Sequence, residues 1–123
     1  MPTDTAVREF IGSAFRSVWA LELLLILHRE PDREFSRPEL IEILRASDLV
    51  IRQSVGSLVA AGLVITDDYD RVALHSLDRD SEQLLHAVLD LYRRSPDMVR
   101  RLIVSRSLPG ATAFADAFRL RKD

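Results

Sequence analysis

The fold is decided by residues 47–74, SDLVIRQSVGSLVAAGLVITDDYDRVAL. Within this stretch, Ile51, Val55 and Leu58 recur at steps of four and three, the spacing that aligns side chains on one face of an α-helix. Gly62 follows where a left-handed C-terminal cap is expected. The stretch therefore predicts a helix that turns this apolar face toward a core and ends near Gly62.

Two short strands are predicted directly after this helix. The runs 63–66 and 71–74, rich in β-branched residues, flank a turn that contains Asp67, Asp68 and Asp70. Runs of this kind on either side of turn residues are typical of a β-hairpin. We therefore expect a hairpin with an acidic tip.

A shorter helix is predicted just before the stretch. Ser36 and Glu39 have the spacing of a capping box, and Pro38 lies in the first turn, where its missing N–H had no helical partner. Ser47 or Asp48 can then cap the next helix. The inner face of the shorter helix is expected to hold Leu40, Ile43 and Leu44.

The N-terminal third is predicted to be helical and strongly apolar. Glycine and serine at residues 12–13 disfavour a continuous helix. We therefore expect either one kinked helix or a short helix that leads into a second over residues 15–29. From residue 18 to 27, apolar side chains surround this second helix on all sides, which is typical of a helix buried in a core or between subunits. Trp19 is expected to lie in the core.

Two further helices and a tail are predicted in the C-terminal part. Asp78 or Ser81 opens a helix that reaches about Arg94, and Pro96 opens another that reaches about Arg106. After a break, the tail is predicted to form a short amphipathic helix that carries Phe114 and Phe118.

The composition favours one globular domain. The chain has 123 residues, 47% of them apolar, and a formal net charge of −2, a length that suits one core better than two. Cysteine is absent, which excludes disulfides and is typical of a reducing compartment. No secretory signal is visible, and the longest apolar run is far shorter than the roughly 20 residues of a spanning helix. We expect a cytoplasmic protein without membrane insertion.

The order of helix, turn, helix and hairpin resembles the winged helix-turn-helix of small bacterial transcriptional regulators of the MarR and Rrf2-like type. This resemblance implies a mainly α fold with a small β-hairpin wing, flanked by N- and C-terminal helices, in a single domain over residues 1–123. The winged-helix core would span about 16–76 and a C-terminal helical extension about 78–123. The resemblance is carried by Glu39-Leu40, Ser47, Leu58 and the run 61–64, AGLV.

The resemblance also implies a DNA-binding transcriptional regulator that reads double-stranded DNA with the helix over about 49–61. Arg52 can pair with guanine and Gln53 with adenine, while Ser54 and Ser57 can reach phosphates. The remaining expected DNA contacts come from Arg37, Arg45 and, on the wing, Arg71.

A second basic region lies near the C-terminus, where residues 91–123 hold eight basic side chains against three acidic ones. Helical spacing aligns Arg93, Arg94, Arg100 and Arg101 along one side, which predicts auxiliary phosphate contacts. The alternative is a solvated face, or ion pairs with acids of the preceding helix, namely Asp78, Asp80, Glu82 and Asp90.

We expect a homodimer, because two reading heads match a two-fold DNA site. Dimerisation would bury the apolar helix over 15–29 or the segment with Phe114 and Phe118. The histidines His28, His75 and His86 lack metal-ligand spacing, and no phosphate loop or catalytic triad pattern occurs. The sequence thus predicts no metal, no cofactor and no enzymatic activity.

The acidic wing favours an alternative function. Three aspartates surround Tyr69, and every carboxylate brought near a phosphate opposes DNA binding. The alternative is therefore a winged-helix module that docks a protein partner and does not bind DNA strongly. That partner would lie against the wing and a smooth helix face formed by Leu49, Gly56 and Ala60.

Overall fold

The computed structural model of the chain describes residues 2–75 and 77–107. These residues form six α-helices and two β-strands, which confirms the predicted mainly α fold with a small hairpin after the helix that follows Ser47. In chain order the elements are α1 (Asp4–Ala14), α2 (Val18–Arg29), α3 (Arg37–Leu44), α4 (Asp48–Ala60), β1 (Val64–Thr66), β2 (Val72–Leu74), α5 (Arg79–Arg94) and α6 (Pro96–Ser107).

The N-terminal region forms two helices, not one kinked helix. α1 ends at Ala14, and the chain bends by 105° before α2 begins. The side chain of Ser17 accepts a hydrogen bond from the backbone N–H of Ala20, so it caps α2. The break therefore lies a few residues beyond the glycine and serine at 12–13.

α2 is the central helix of the fold. It packs against α3, α4, β2 and α6, and five of its side chains are completely buried. Most of its apolar surface is thus covered by other elements of the same chain. Trp19 was expected in the core, but this is wrong, since the residue is 42% exposed. The completely buried side chains are Ala20, Leu21, Leu23, Leu24 and Leu27.

α3 begins with the predicted capping box. Ser36 Oγ accepts from the N–H of Glu39 at 3.2 Å, and Glu39 Oε1 accepts from the N–H of Ser36 at 3.0 Å. The predicted inner face is correct for Leu40 and wrong for Ile43, which is 50% exposed. Ile41 and Leu44 pack against the core together with Leu40. Ile43 lies on the other side of Leu40 around the helix and therefore faces solvent.

The hairpin pairs β1 with β2 in the register Val64–Leu74, Ile65–Ala73 and Thr66–Val72. A third piece of chain joins it, because Phe35 and Val72 exchange two backbone hydrogen bonds of 2.8 and 2.7 Å. Phe35 is completely buried, and nothing in the sequence pattern pointed to this bridge. The bridge fixes the hairpin beside the start of α3.

The C-terminal helices pack together with α1. Asp78 caps α5 by accepting from the N–H of Ser81 at 2.7 Å, and α6 begins at Pro96, as predicted. Leu85 and Ile103 are fully buried and belong to the same hydrophobic core as α2. The predicted tail helix with Phe114 and Phe118 lies outside the described residues.

No single helix within residues 2–75 and 77–107 is long and apolar enough to cross a membrane. Only α1 and α2 together reach such a length and composition, and they are the pair separated by the 105° bend.

Replacing either of two glycines, one within α4 and one just after it, by alanine should change the free energy of unfolding, in opposite directions. Gly62 has φ +77°, and L-residues with a Cβ are strained there, so Gly62→Ala should lower the free energy of unfolding by about 1–2 kcal/mol. A Cβ on Gly56, inside the helix, would meet no atom within 4 Å apart from the neighbouring backbone of α4 itself. Gly56→Ala should therefore raise the free energy by about 0.5–1 kcal/mol. Urea unfolding followed by circular dichroism measures both values, and two shifts of the same sign would contradict this account of α4.

Candidate functional site

α4 buries a slightly different stripe from the one predicted. Ile51 and Leu58 are completely buried as expected, but their third partner is Ser54, and Val55 lies at the edge of the core. The helix is thus rotated about its axis toward the Ser54 side. The expected phosphate contact of Ser54 is contradicted, because this residue is only 3% exposed. Ser57 is half-buried, and its hydroxyl donates to the carbonyl of Ser54 at 2.9 Å.

The opposite side of α4 is open to solvent. Arg52 and Gln53 project from its first half, and Leu49 is 60% exposed. Apart from the neighbouring backbone of α4 itself, no atom lies within 4 Å of a Cβ built on Gly56, so this glycine is not required for packing against the described residues. We call this surface the α4 face; its exposed members are Leu49, Arg52, Gln53, Gly56 and Ala60.

A groove of about 450 Å³ separates the α4 face from the hairpin. Apolar and charged side chains both line it, and α3 contributes one arginine to it. The residues that line the groove are Arg37, Arg52, Val55, Gly56, Val59, Thr66, Asp70 and Val72.

Both arginines of the groove are held by carboxylates. Arg37 contacts Asp70 of the hairpin turn at 3.0 Å and Asp48 of α4 at 3.6 Å, while Arg52 lies 3.7 Å from Asp48. This network joins α3, α4 and the hairpin across 33 residues of sequence. An incoming anion must therefore compete with Asp48 and Asp70 for the guanidinium groups.

Arg71 is used inside the hairpin turn. Asp67 Oδ2 accepts from its Nε at 2.7 Å, and Asp67 Oδ1 accepts from the backbone N–H of Arg71 and of Tyr69, each at 2.9 Å. The backbone N–H of Arg71, followed by that of Tyr69 and by the guanidinium, lowers the pKa of Asp67. Arg71 also lies 3.6 Å from Glu34. Both ion pairs use the Nε of this wing arginine, so a phosphate would have to bind its remaining guanidinium N–H groups beside two carboxylates.

Arg45 differs from the other predicted phosphate ligands. It ends α3 in the left-handed conformation, with φ 53°, and its side chain is exposed. Among the described residues it forms no ion pair. Among the described residues, the predicted DNA ligands that are exposed and form no hydrogen bond to a carboxylate are therefore Arg45, Arg52 and Gln53.

Several exposed apolar side chains surround this surface, and most of them are not predicted from the sequence pattern. Tyr69 at the hairpin turn is 80% exposed, and Ile65 points away from the core on β1. Strand alternation from the buried Val64 could have identified Ile65. The exposed apolar residues of α3, α4 and the hairpin are Ile43, Leu49, Val59, Ile65 and Tyr69.

The C-terminal arginines lie on a different surface. Arg93 and Arg94 contact Asp90 at 2.7 and 3.0 Å, and Arg100 contacts Asp97 at 3.3 Å. These partners are on the same helix as each arginine, and Asp90 is the one predicted acid involved. Arg101 is exposed on α6. The cavity that Arg93 and Arg100 line shares no residue with the groove beside α4.

Neither the grouping of possible metal ligands nor comparison with known proteins identifies the function of this site. Within the part of the chain that the structure describes, no three histidine, aspartate or glutamate side chains are grouped as a metal site. No family model, no curated protein and no solved structure matches this chain. The function has to be inferred from the α4 face, the hairpin and their charges.

The lowered pKa of Asp67 predicts an acid-sensitive hairpin. A carboxyl group whose pKa is lower in the folded than in the unfolded state stabilises the fold above about pH 4, and this stabilisation is lost as the pH falls through the folded value. Asp67→Asn should therefore be less stable than the wild type at pH 7, and the difference should shrink in acid. Thermal unfolding at several pH values measures it.

Asp68→Asn is the matched control, because Asp68 forms no ion pair or hydrogen bond among the described residues. If both variants lost the same stability at pH 7, the contacts of Asp67 would not be the cause.

Proposed function

We propose that this protein is a cytoplasmic winged-helix transcriptional regulator that binds double-stranded DNA as a homodimer. The observation that supports it best is the α3–α4 pair followed at once by a hairpin, with the α4 face left open. An α-helix fits the major groove of B-DNA, which is about 12 Å wide. Gly56 at the centre of the face lets the helix backbone approach the duplex closely.

The residues proposed to read DNA are Arg52 and Gln53. Both are exposed on the first half of α4, the part of a recognition helix that meets base edges. Arg52 would donate to guanine and Gln53 would pair with adenine, and Arg45 would contact a phosphate. Arg37 would join them after exchanging its carboxylate partners for phosphate.

The carboxylates of the groove weaken the DNA binding that we propose. Asp48 and Asp70 compete with DNA for Arg37 and Arg52, so the duplex gains less from each phosphate contact than it would from an unpaired arginine. Binding that depends on few phosphate contacts is weak at physiological salt. We therefore propose moderate affinity that requires the correct base sequence.

One observation favours a second candidate, a protein-docking module on the same surface. The arginines of the groove and the turn are paired, and four apolar side chains stay exposed around them. A partner with apolar anchors and basic side chains would fit the α4 face and the acidic turn. The apolar residues it would cover are Leu49, Val59, Ile65 and Tyr69.

Selection from a genomic DNA library tests the first proposal. The wild type should retain specific fragments at about 50 mM salt and fewer at about 200 mM, with a shallow salt dependence because few phosphates are contacted. Arg52→Ala should relax sequence preference by about 1–3 kcal/mol, because a bidentate base contact is lost. Arg8→Ala is the matched control, since Arg8 lies on α1 and pairs with Asp4. Absence of retention at the lower salt would overturn the proposal.

Charge reversal at the turn separates the two candidates. Asp68 is exposed and has no ion-pair partner among residues 2–75 and 77–107, so Asp68→Lys changes the local field and leaves the described contacts intact. It should strengthen DNA retention several-fold if α4 reads DNA, since one repulsive charge becomes attractive. A protein partner identified by crosslinking through Tyr69 should instead be captured less well. Unchanged DNA retention would count against DNA binding by this surface.

A further inference from the structure

A cavity of about 570 Å³ lies between α2, α5 and α6 and is separate from the groove beside α4. Three arginines line it, one from each helix: Arg29 of α2, Arg93 of α5 and Arg100 of α6. Arg29 is exposed and forms no ion pair among the described residues. The convergence of three arginines from three elements on one concave surface is an arrangement suited to an anion.

The two carboxylates of the cavity are already hydrogen-bonded. Glu22 accepts from the hydroxyl of Tyr92, and Asp90 accepts from Arg93 at 2.7 Å and from Arg94 at 3.0 Å. Each guanidinium has five N–H donors, so Arg93 and Arg100 keep donors beyond those used by Asp90 and Asp97. The cavity is positive on balance even when its histidines are neutral.

The same cavity has an apolar wall. Leu25, Leu89 and Pro96 line it, beside the ring of Tyr92, which is almost fully buried. The guanidinium carbon of Arg100 lies 5.5 Å from the centre of that ring. A bare inorganic anion would leave this wall uncovered, whereas an organic anion would bury it.

A pair of histidines completes the lining. The rings of His28 and His86 meet edge to face with centroids 5.8 Å apart. Burial lowers the pKa of His28, the charge on His86 lowers it further, and Glu82 opposes both effects. An anion in the cavity would favour the protonated form of His28. The other charged groups lining the cavity with His28 are Glu22, Arg29, Asp90, Arg93 and Arg100.

We propose that the α2–α5–α6 cavity binds a small organic carboxylate that has an apolar body. Arg29, Arg93 and Arg100 hold the carboxylate, and the apolar body lies against Leu25, Leu89 and the Tyr92 ring. This site does not depend on DNA binding, because it shares no residue with the α4 face or the groove beside it. A ligand there would touch α2, which also packs against α4.

Titration calorimetry of the full chain with hexanoate, hexanamide and inorganic phosphate tests the proposal. Hexanoate should bind at least about tenfold more tightly than its uncharged amide, since charge-assisted hydrogen bonds are lost with the charge. Phosphate should bind more weakly than hexanoate. Equal binding of acid and amide would overturn the anion site, and phosphate binding as tight as hexanoate would overturn the apolar part of the proposal.

Matched variants locate the site. Arg29→Gln should weaken hexanoate binding about fivefold or more, whereas Arg101→Gln, which removes an exposed arginine outside the cavity, should leave it unchanged. Hexanoate should also bind more tightly at pH 5.5 than at pH 8, and His28→Gln should reduce this difference. Equal effects of the two arginine variants would place the ligand elsewhere.

Discussion

The structure depends on the burial of α2. Five of its side chains are completely removed from solvent, and each large aliphatic side chain buried in this way stabilises the fold by about 1.5–3 kcal/mol. α2 packs against α3, α4 and β2 and also against α6, so it connects the hairpin region with the C-terminal helices. A helix that is apolar on all sides can satisfy both groups of neighbours at once.

The two surfaces beside this helix use charge in opposite ways. On the α4 side, Asp48 and Asp70 pair with Arg37 and Arg52, so the charges of the groove beside the α4 face are close to balanced. In the α2–α5–α6 cavity, guanidinium groups outnumber carboxylates, which are themselves hydrogen-bonded. Arg93 and Arg100 thus line a concave site of their own and not the groove beside α4.

Local interactions could be predicted from the sequence, and long-range ones could not. The Ser36–Glu39 box and the left-handed Gly62 involve residues close along the chain, so their spacing is diagnostic. The bridge of Phe35 to Val72 joins distant segments and left no signal in periodicity. The exposure of Trp19 and the burial of Ser54 depend on how whole helices are rotated when they dock, and periodicity allows several rotations.

Amide chemical-shift mapping of the full chain with duplex DNA tests the central claim most directly, because it shows which surface meets the duplex. At about 50 mM salt, where phosphate contacts are strong, shifts should concentrate on Arg52, Gln53, Gly56 and the hairpin turn. They should leave the residues of the α2–α5–α6 cavity unaffected. Shifts confined to Arg93–Arg101, or none on α4, would contradict DNA reading by this helix.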